Sequence, residues 1–302
     1  MMKILITGSN GLLGQKLINK LKSDSFFSLI ATSKGQNRVQ NRKGYKYFNL
    51  DITDNFAVSN IIFDIQPDVV INTAAMTNVD LCEDQKEKCD DLNCNAVGYL
   101  ANACLSVNAH LIHISTDFVF DGKSGPYKED DVPNPLSYYG MSKLKSEQLL
   151  LQHNVQSTIL RTIILFGVAE GLTKSNIVLW AKSALKKGEE INIIDDQFRA
   201  PTLAEDLADA CIFAAMKKVT GIYHVSGKDI MSIYDIVERT AKYFGYSCKK
   251  LNKINTNDLN QKAERPRKTG FILEKAISHL KYNPHSFEES LSIIEQQLKK
   301  QL

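Results

Sequence analysis

Apolar residues along the chain fall into two alternating rhythms. Short, near-continuous runs, "KILITG", "FFSLIAT", "YKYFNLD", "DVVINTAA" and "HLIHIST", are separated by longer stretches in which apolar positions return every three or four residues, over 12–21, 55–63 and "NAVGYLANACLSV". Continuous apolar strands need cover on both faces, and helices of ten-odd residues between them supply it, so the pattern predicts βαβ units and a parallel sheet. "STILRTIILFG" continues the run, and beyond Phe166 the rhythm changes. A helix over about 175–185, a short strand "EINII", the loop "DDQFRAPT" and a helix over 203–216 precede "GIYHVSG", which reads as a return to the sheet. An irregular basic segment, "QKAERPRKTGF", and an amphipathic stretch, "SFEESLSIIEQQLKK", close the chain. The expected fold class is α/β: a doubly wound parallel sheet from 1–166 plus about 203–226, with a smaller mixed α/β lobe from about 167–202 plus 227–302 over the carboxyl edge of the strands.

The first strand runs straight into "TGSNGLLG", which sets Gly8, Gly11 and Gly14 three residues apart and opens a helix at once. Glycines there let the backbone approach a pyrophosphate, and the unpaired N–H groups of a helix start favour its charge. This makes the sheet Rossmann-type, with Gly8, Asn10, Gly11, Leu12, Leu13 and Gly14 as candidate dinucleotide contacts. An acid about 20 residues on would take the adenosine ribose hydroxyls. The chain has instead Thr32, Ser33, Lys34 and then Arg38. Hydroxyls and cations accept a 2′-phosphate that a carboxylate would repel, so NADPH is favoured, with NADH left open. Lys34 and Arg38 could equally be solvated loop charges. Asp51 and Ile52 end the next strand and could cap the adenine, and the small residues of "NTAA", with Thr73, Ala74 and Ala75, would let the nicotinamide ribose and phosphates pass.

In "NPLSYYGMSKLKSEQLL" the pattern turns helical after Pro135, which puts Tyr139 and Lys143 at i and i+4 on one face. A phenol titrates near ~10, and an ammonium on its face would lower that by stabilising the phenolate. Tyr139 is therefore the candidate acid, while Tyr138, with Ser142 in the matching position, lines the pocket or packs. "HISTDFVFDG" ends a strand with Ser115 and Thr116, where open α/β sheets bind ligands.

Glycine loop, "NTAAMTNVDLCE", "STDFVFDG", "PLSYYGMSKLKSE", "LRTIILFG", "DDQFRAPT" and "RPRKTGF", in this order, resemble the extended short-chain dehydrogenase/reductases, and among them the dTDP-4-dehydrorhamnose reductase family. The resemblance implies a Thr116, Tyr139 and Lys143 triad, with Asn93 steadying the active-site helices. It places Thr77 and Asn93 with the cofactor residues, and Asp117, Phe118, Val119, Tyr138, Arg199 and Arg265 with the nucleotide-sugar. Arg199 stands where the family commonly has glycine. The implied reaction is reduction of dTDP-4-dehydro-L-rhamnose by NADPH, with Tyr139 donating the proton. Arg161, Arg199, Arg265 and Lys268 are the cations available to a substrate diphosphate.

Composition narrows the partners. The formal charge of +3 comes without a dominant basic tract, so nucleic acid is not expected, and no apolar run reaches the ~20 residues of a membrane helix. Six cysteines without a CxxC pair, and a first strand that leaves no room for a signal peptide, point to reduced thiols, no metal and a cytoplasmic location. A homodimer stays open. So do two rival functions: a reductase, epimerase or dehydratase on another nucleotide-sugar, for which Asp117 would be an acid, and a non-catalytic NADP(H)-binding regulatory subunit.

Overall fold

The computed structural model describes residues 1–172 and 175–300. Its centre is a parallel sheet of seven strands: β1 (Met2–Thr7), β2 (Phe27–Ser33), β3 (Lys46–Asn49), β4 (Val69–Asn72), β5 (His110–Thr116), β6 (Ser157–Thr162) and, much later in the chain, Gly221–His224. Between them run α1 (Leu12–Leu21), α2 (Asn55–Ile65), α3 (Val79–Asp84), α4 (Lys86–Asp90), α5 (Ala96–Ser106) and α6 (Tyr138–Gln152). The spatial order is β3-β2-β1-β4-β5-β6 with Gly221–His224 at the far edge, so the winding reverses between β1 and β4.

Alternation along the strands sorts the core. Ile4, Ile6, Val69, Ile71 and Ile112 face α1 and the later helix Ala204–Lys217, whereas Leu5, Val70, Leu111 and Ile159 face α2, α5 and α6. Both faces are covered, as the continuous apolar runs required.

Beyond Thr162 the chain leaves the sheet, turning through Ile164 at φ 33. β7 (Leu165–Phe166) pairs instead with β10 (Thr202–Leu203), so "STILRTIILFG" is two strands in two sheets. The remaining elements are α7 (Ile177–Lys187), β8 (Ile191–Ile194), β9 (Phe198–Arg199), α8 (Ala204–Lys217), β11 (Gly221–His224), β12 (Met231–Ser232), α9 (Ile233–Tyr243), β13 (Leu251–Ile254), α10 (Glu274–Leu280) and α11 (Phe287–Lys299). β8 with β13 and β9 with β12 make two further small sheets over the helices α7, α9 and α11. The loop "DDQFRAPT" thus carries two short strands. α9 was not anticipated, although Ser232 and Asp235 form a capping box at its start. No helix among the described residues is long and apolar enough to cross a membrane.

Candidate active site

At the winding reversal the chain is shaped by absent side chains. Gly8 has φ +66, and a Cβ there would lie 2.6 Å from the Ala74 nitrogen; one on Gly14 would lie 2.5 Å from Ser9 Cα. These two glycines serve the protein's own packing. Gly11 differs: its φ is −78, it is exposed, and a Cβ would meet only the Gly8 carbonyl at 3.2 Å. Gly11 is also the N-cap of α1 and offers no side-chain oxygen, so the first N–H groups of the helix stay open. Inside the loop the Ser9 hydroxyl is buried with no partner among the described residues. A bare helix start behind a glycine that the fold itself does not need fits a dinucleotide pyrophosphate.

Several residues expected at the cofactor also serve the protein's own packing. Leu13 and Ile52 are buried in the two cores, and the Thr32 hydroxyl donates to the Ile6 carbonyl. Asn10 ties the loop to its neighbour, donating to the Gln36 carbonyl and accepting from the Arg38 amide. Thr73 donates to the Thr7 carbonyl at 2.7 Å, Leu12, Ala74 and Ala75 are half-buried, and Thr77 is exposed. The expectation of no acid beside β2 needs correction. Lys34 pairs with Asp51 at 2.6 Å, because β3 lies next to β2 and brings its end alongside. The ammonium and its hydrogen bond hold the Asp51 carboxyl below its usual range.

The second half of the site is built on α6. Ser137 caps it by accepting from the Gly140 amide, and Gly140 lets the helix press on the Phe118 carbonyl more closely than any Cβ would allow. That contact brings Tyr139 beside Thr116, at the end of β5, with Phe118 edge-on to its ring at 5.7 Å. Burial pushes the Tyr139 phenol up, the Thr116 hydroxyl beside it acts the other way, and the Asp117 charge adds to the rise. Lys143 does not lower the phenol here, contrary to the expectation from spacing. It is 1% exposed and its Nζ stands 2.9 Å from His113 Nε2. Burial lowers Lys143 to about 8, with Glu147 opposing.

Behind these groups lie buried networks that relocate several candidates. Arg161 is 2% exposed and its guanidinium grips Glu147, at 2.7 Å from Nη2 to Oε2, while Ser115 donates to the other carboxylate oxygen at 2.5 Å. Arg199, 1% exposed, lies 3.6 Å from Asp117 and donates to the carbonyls of Phe198, Pro266 and Arg267. Neither arginine is free for a substrate diphosphate. Asp117 also accepts from Thr269 at 2.5 Å, so it is a structural hub and no solvent-facing acid; burial raises its carboxyl, with Arg199 opposing. Val119 is fully buried core. Asn93 sits on a π-helical turn, Asp91–Asn95, accepts from the Met76 amide at 2.8 Å and donates to Ser142 at 3.0 Å. It therefore joins the loop after β4 to α6. Tyr138 turns away from the site, donating to Asp90 at 2.7 Å between the ammonium groups of Lys86 and Lys145.

Of the candidate cations, Arg265 reaches across to α3, donating to the two Asp80 carboxylate oxygens at 3.2 and 2.7 Å and to the Ala263 carbonyl at 2.9 Å, and Lys268 is exposed. The segment 266–271 runs beside the 121–127 loop, with Lys268 donating to the Gly122 carbonyl and Tyr127 to that of Gly270. His113, Glu147 and Thr269 were not anticipated as part of the site, whereas Ser115 was singled out at the strand end. One signal was present: Tyr139, Lys143 and Glu147 recur every four residues, a polar stripe on a helix face that is buried.

A family model described as RmlD substrate binding domain matches residues 2–299. A dTDP-4-dehydrorhamnose reductase of Aggregatibacter actinomycetemcomitans is 33% identical over 97% of this chain and 98% of its own. The methionine adenosyltransferase 2 subunit beta of Bos taurus is 32% identical over 88% of this chain and 78% of its own. Among solved structures, a dTDP-4-dehydrorhamnose reductase from Bacillus anthracis in complex with NADP superposes with a TM-score of 0.84 at 27% identity, covering 98% of this chain and 100% of that one.

Proposed function

The chain belongs to the RmlD substrate-binding-domain family of reductases, and on that premise we propose that it reduces dTDP-4-dehydro-L-rhamnose to dTDP-L-rhamnose with NADPH. The observation that carries the reading is Tyr139 beside Thr116 at the carboxyl end of β5, with Lys143 one helical turn along α6, near the winding reversal where Gly8 meets Ala74. The glycine loop, the open start of α1 and Thr73 to Ala75 would hold the dinucleotide, whose nicotinamide supplies a hydride to the sugar keto carbon. Residues 1–166 with 203–226 would carry that role, and 167–202 with 227–302 would hold the nucleotide-sugar. Tyr139, its phenol held up by burial, keeps its proton through neutral pH and so has one to give to the oxygen on which negative charge develops. Thr116 Oγ, next to it, can donate to the same oxygen. Lys143, one helical turn along the same face, would support the phenolate left behind. Asp117, bound by Arg199 and Thr269, is poorly placed to act as the acid of a dehydratase or epimerase.

Likeness to the beta subunit of methionine adenosyltransferase 2 supports a second reading, a dinucleotide-binding subunit without turnover. Retention of all three catalytic side chains weighs for the reductase. Tyr139→Phe keeps the ring and removes the hydroxyl, so kcat should fall ~10²- to 10⁴-fold with NADPH affinity little changed, whereas Tyr138→Phe should cost far less. The measurement follows NADPH oxidation with the keto-sugar generated in situ. A wild-type protein that oxidises NADPH with no 4-keto nucleotide-sugar would sink the reductase and favour the subunit.

A further inference from the structure

A line of polar side chains crosses the sheet interior behind the site. Thr7 Oγ donates to Asn72 Oδ1 at 2.6 Å, Asn72 Nδ2 lies 3.1 Å from His113 Nδ1, and His113 Nε2 lies 2.9 Å from Lys143 Nζ and 3.1 Å from Ser146 Oγ. All five residues are buried, from β1, β4, β5 and α6 in turn. In such a place each hydrogen needs an acceptor, and hydrogen counting fixes the direction of the line.

The Ala74 amide, at 3.3 Å, and the Thr7 hydroxyl both donate to one Asn72 atom, which is therefore the carbonyl oxygen. The Asn72 amide nitrogen is left to donate to His113 Nδ1, and that nitrogen must be bare. A neutral imidazole with a bare Nδ1 carries its hydrogen on Nε2. Ser146 gives its own hydroxyl hydrogen to the Lys143 carbonyl at 2.7 Å, so it can only accept from the ring. A lysine ammonium has three donors and no acceptor, and against an N–H it would be unsatisfied. The 2.9 Å contact is satisfied when Nζ presents a lone pair, the one Nε2 hydrogen then being shared between Nζ and Ser146 Oγ.

We propose that Asn72 locks His113 in its Nε2–H form and that His113 is a positioning residue, favouring the uncharged amine of Lys143 against β5. Engagement of a dinucleotide, which draws Lys143 off His113, then takes up one proton from solvent at Nζ. The tautomer rests on the chain alone; the coupling rests on the function proposed above. Other groups facing Lys143 are Tyr139 and Glu147 on α6, Cys89 on α4 and Cys94 on the π-helical turn, and Glu147 is already neutralised by Arg161. Burial holds His113 well below the usual imidazole range, with Lys143 adding to the effect, and Lys143 itself at about 8. The sign follows: below pH 8 the free lysine is already charged and binding takes up little, while above pH 8 binding takes up a proton and affinity falls with rising pH, roughly tenfold per pH unit.

Two measurements test this. Nitrogen-15 NMR of the ligand-free wild type, with His113 assigned through bonds, should show a bare Nδ1 and a protonated Nε2; a hydrogen on Nδ1 overturns the proposal. Calorimetric titration with NADP⁺ in buffers of different ionisation enthalpy should show uptake approaching one proton at pH 9 and little at pH 7. His113→Asn keeps an acceptor for Asn72 and withdraws the contact to Lys143, so the uptake at pH 9 should shrink while binding persists. Uptake that is absent in wild type, or equal in wild type and His113→Asn, overturns the coupling. A wild type that binds no dinucleotide overturns the function proposed above and the coupling with it, while the NMR result still decides the tautomer.

Discussion

At the carboxyl end of β1 the cleft is formed by backbone pressed against backbone, Gly8 on Ala74 and Gly14 on Ser9. At the carboxyl end of β5 it is formed by buried side chains in pairs: Ser115 and Arg161 on Glu147, Arg199 and Thr269 on Asp117, Asn93 on Ser142, His113 on Lys143. The two ends serve different chemical needs. A pyrophosphate is recognised by N–H groups and a helix field, which the backbone supplies once nothing stands in front of it. Proton transfer needs particular side chains at fixed positions, and those must be held by others whose polar atoms are themselves satisfied. The first end should fail sharply at single glycines, and the second through the loss of a partner.

Arg161→Met is the strongest blow to the second end. It keeps the stem that lies in the core and removes the charge that satisfies Glu147, leaving a buried carboxylate with Ser115 for company. Breaking a buried pair in this way costs about 3–5 kcal/mol, to be read from urea unfolding. The double variant Arg161→Met with Glu147→Gln should recover most of that loss. A single-variant cost under about 1 kcal/mol would mean that the pair does not sustain the second end.

That difference in construction also governs what the sequence discloses. The glycine loop was legible because a positive φ at Gly8 and close approach at Gly14 admit one residue type, and the spacing shows it within seven positions. Tyr139 and Lys143 were legible for a similar reason, being one turn apart on one helix. The partners were not. Asp117 meets Thr269 across 152 residues of chain, and Arg265 meets Asp80 across 185, so no local pattern reveals that these charges are already paired. Arg199 looks like a free cation in sequence for the same reason, and Arg161 because its partner Glu147, 14 residues back, lies on a different element. Lys34 stood beside no acid until the parallel pairing of β2 with β3 delivered Asp51. α9 went unread, although its start has local capping geometry.

The glycines permit a sharper test of the first end. Gly8→Ala forces a Cβ into the Ala74 backbone at an unfavourable φ and should cost about 1–3 kcal/mol of stability along with dinucleotide binding. Gly11→Ala meets ordinary φ and open space on all but one side. Its stability should change by less than about 0.5 kcal/mol, as at other unconstrained positions, while NADP⁺ affinity falls. Thermal unfolding and a fluorescence titration separate the two effects. If Gly11→Ala binds as tightly as wild type, the glycine loop is a structural turn alone.

The smallest effect concerns the choice between the two nicotinamide cofactors, at the outer edge of the same end. Lys34 is highly exposed and held by Asp51 at 2.6 Å, so its charge is partly answered before any ligand arrives. A carboxylate in this position would accept hydrogen bonds from a ribose diol and repel a 2′-phosphate, while the lysine does the reverse. On the reading proposed above, the pair as it stands should set a modest preference for NADPH. Asp51→Asn removes the repulsion and releases Lys34, so NADPH should tighten several-fold relative to NADH, consistent with the ~1 kcal/mol that an exposed ion pair can contribute. Lys34→Gln should move the ratio the other way by a similar factor and leave NADH affinity unchanged. Both affinities can be read by quenching of protein fluorescence at low and at high salt, and the differences should shrink as salt screens the exposed charges. If the ratio is the same in wild type and in both variants, Lys34 and Asp51 are a solvated surface pair, and the choice of cofactor is made elsewhere along the cleft.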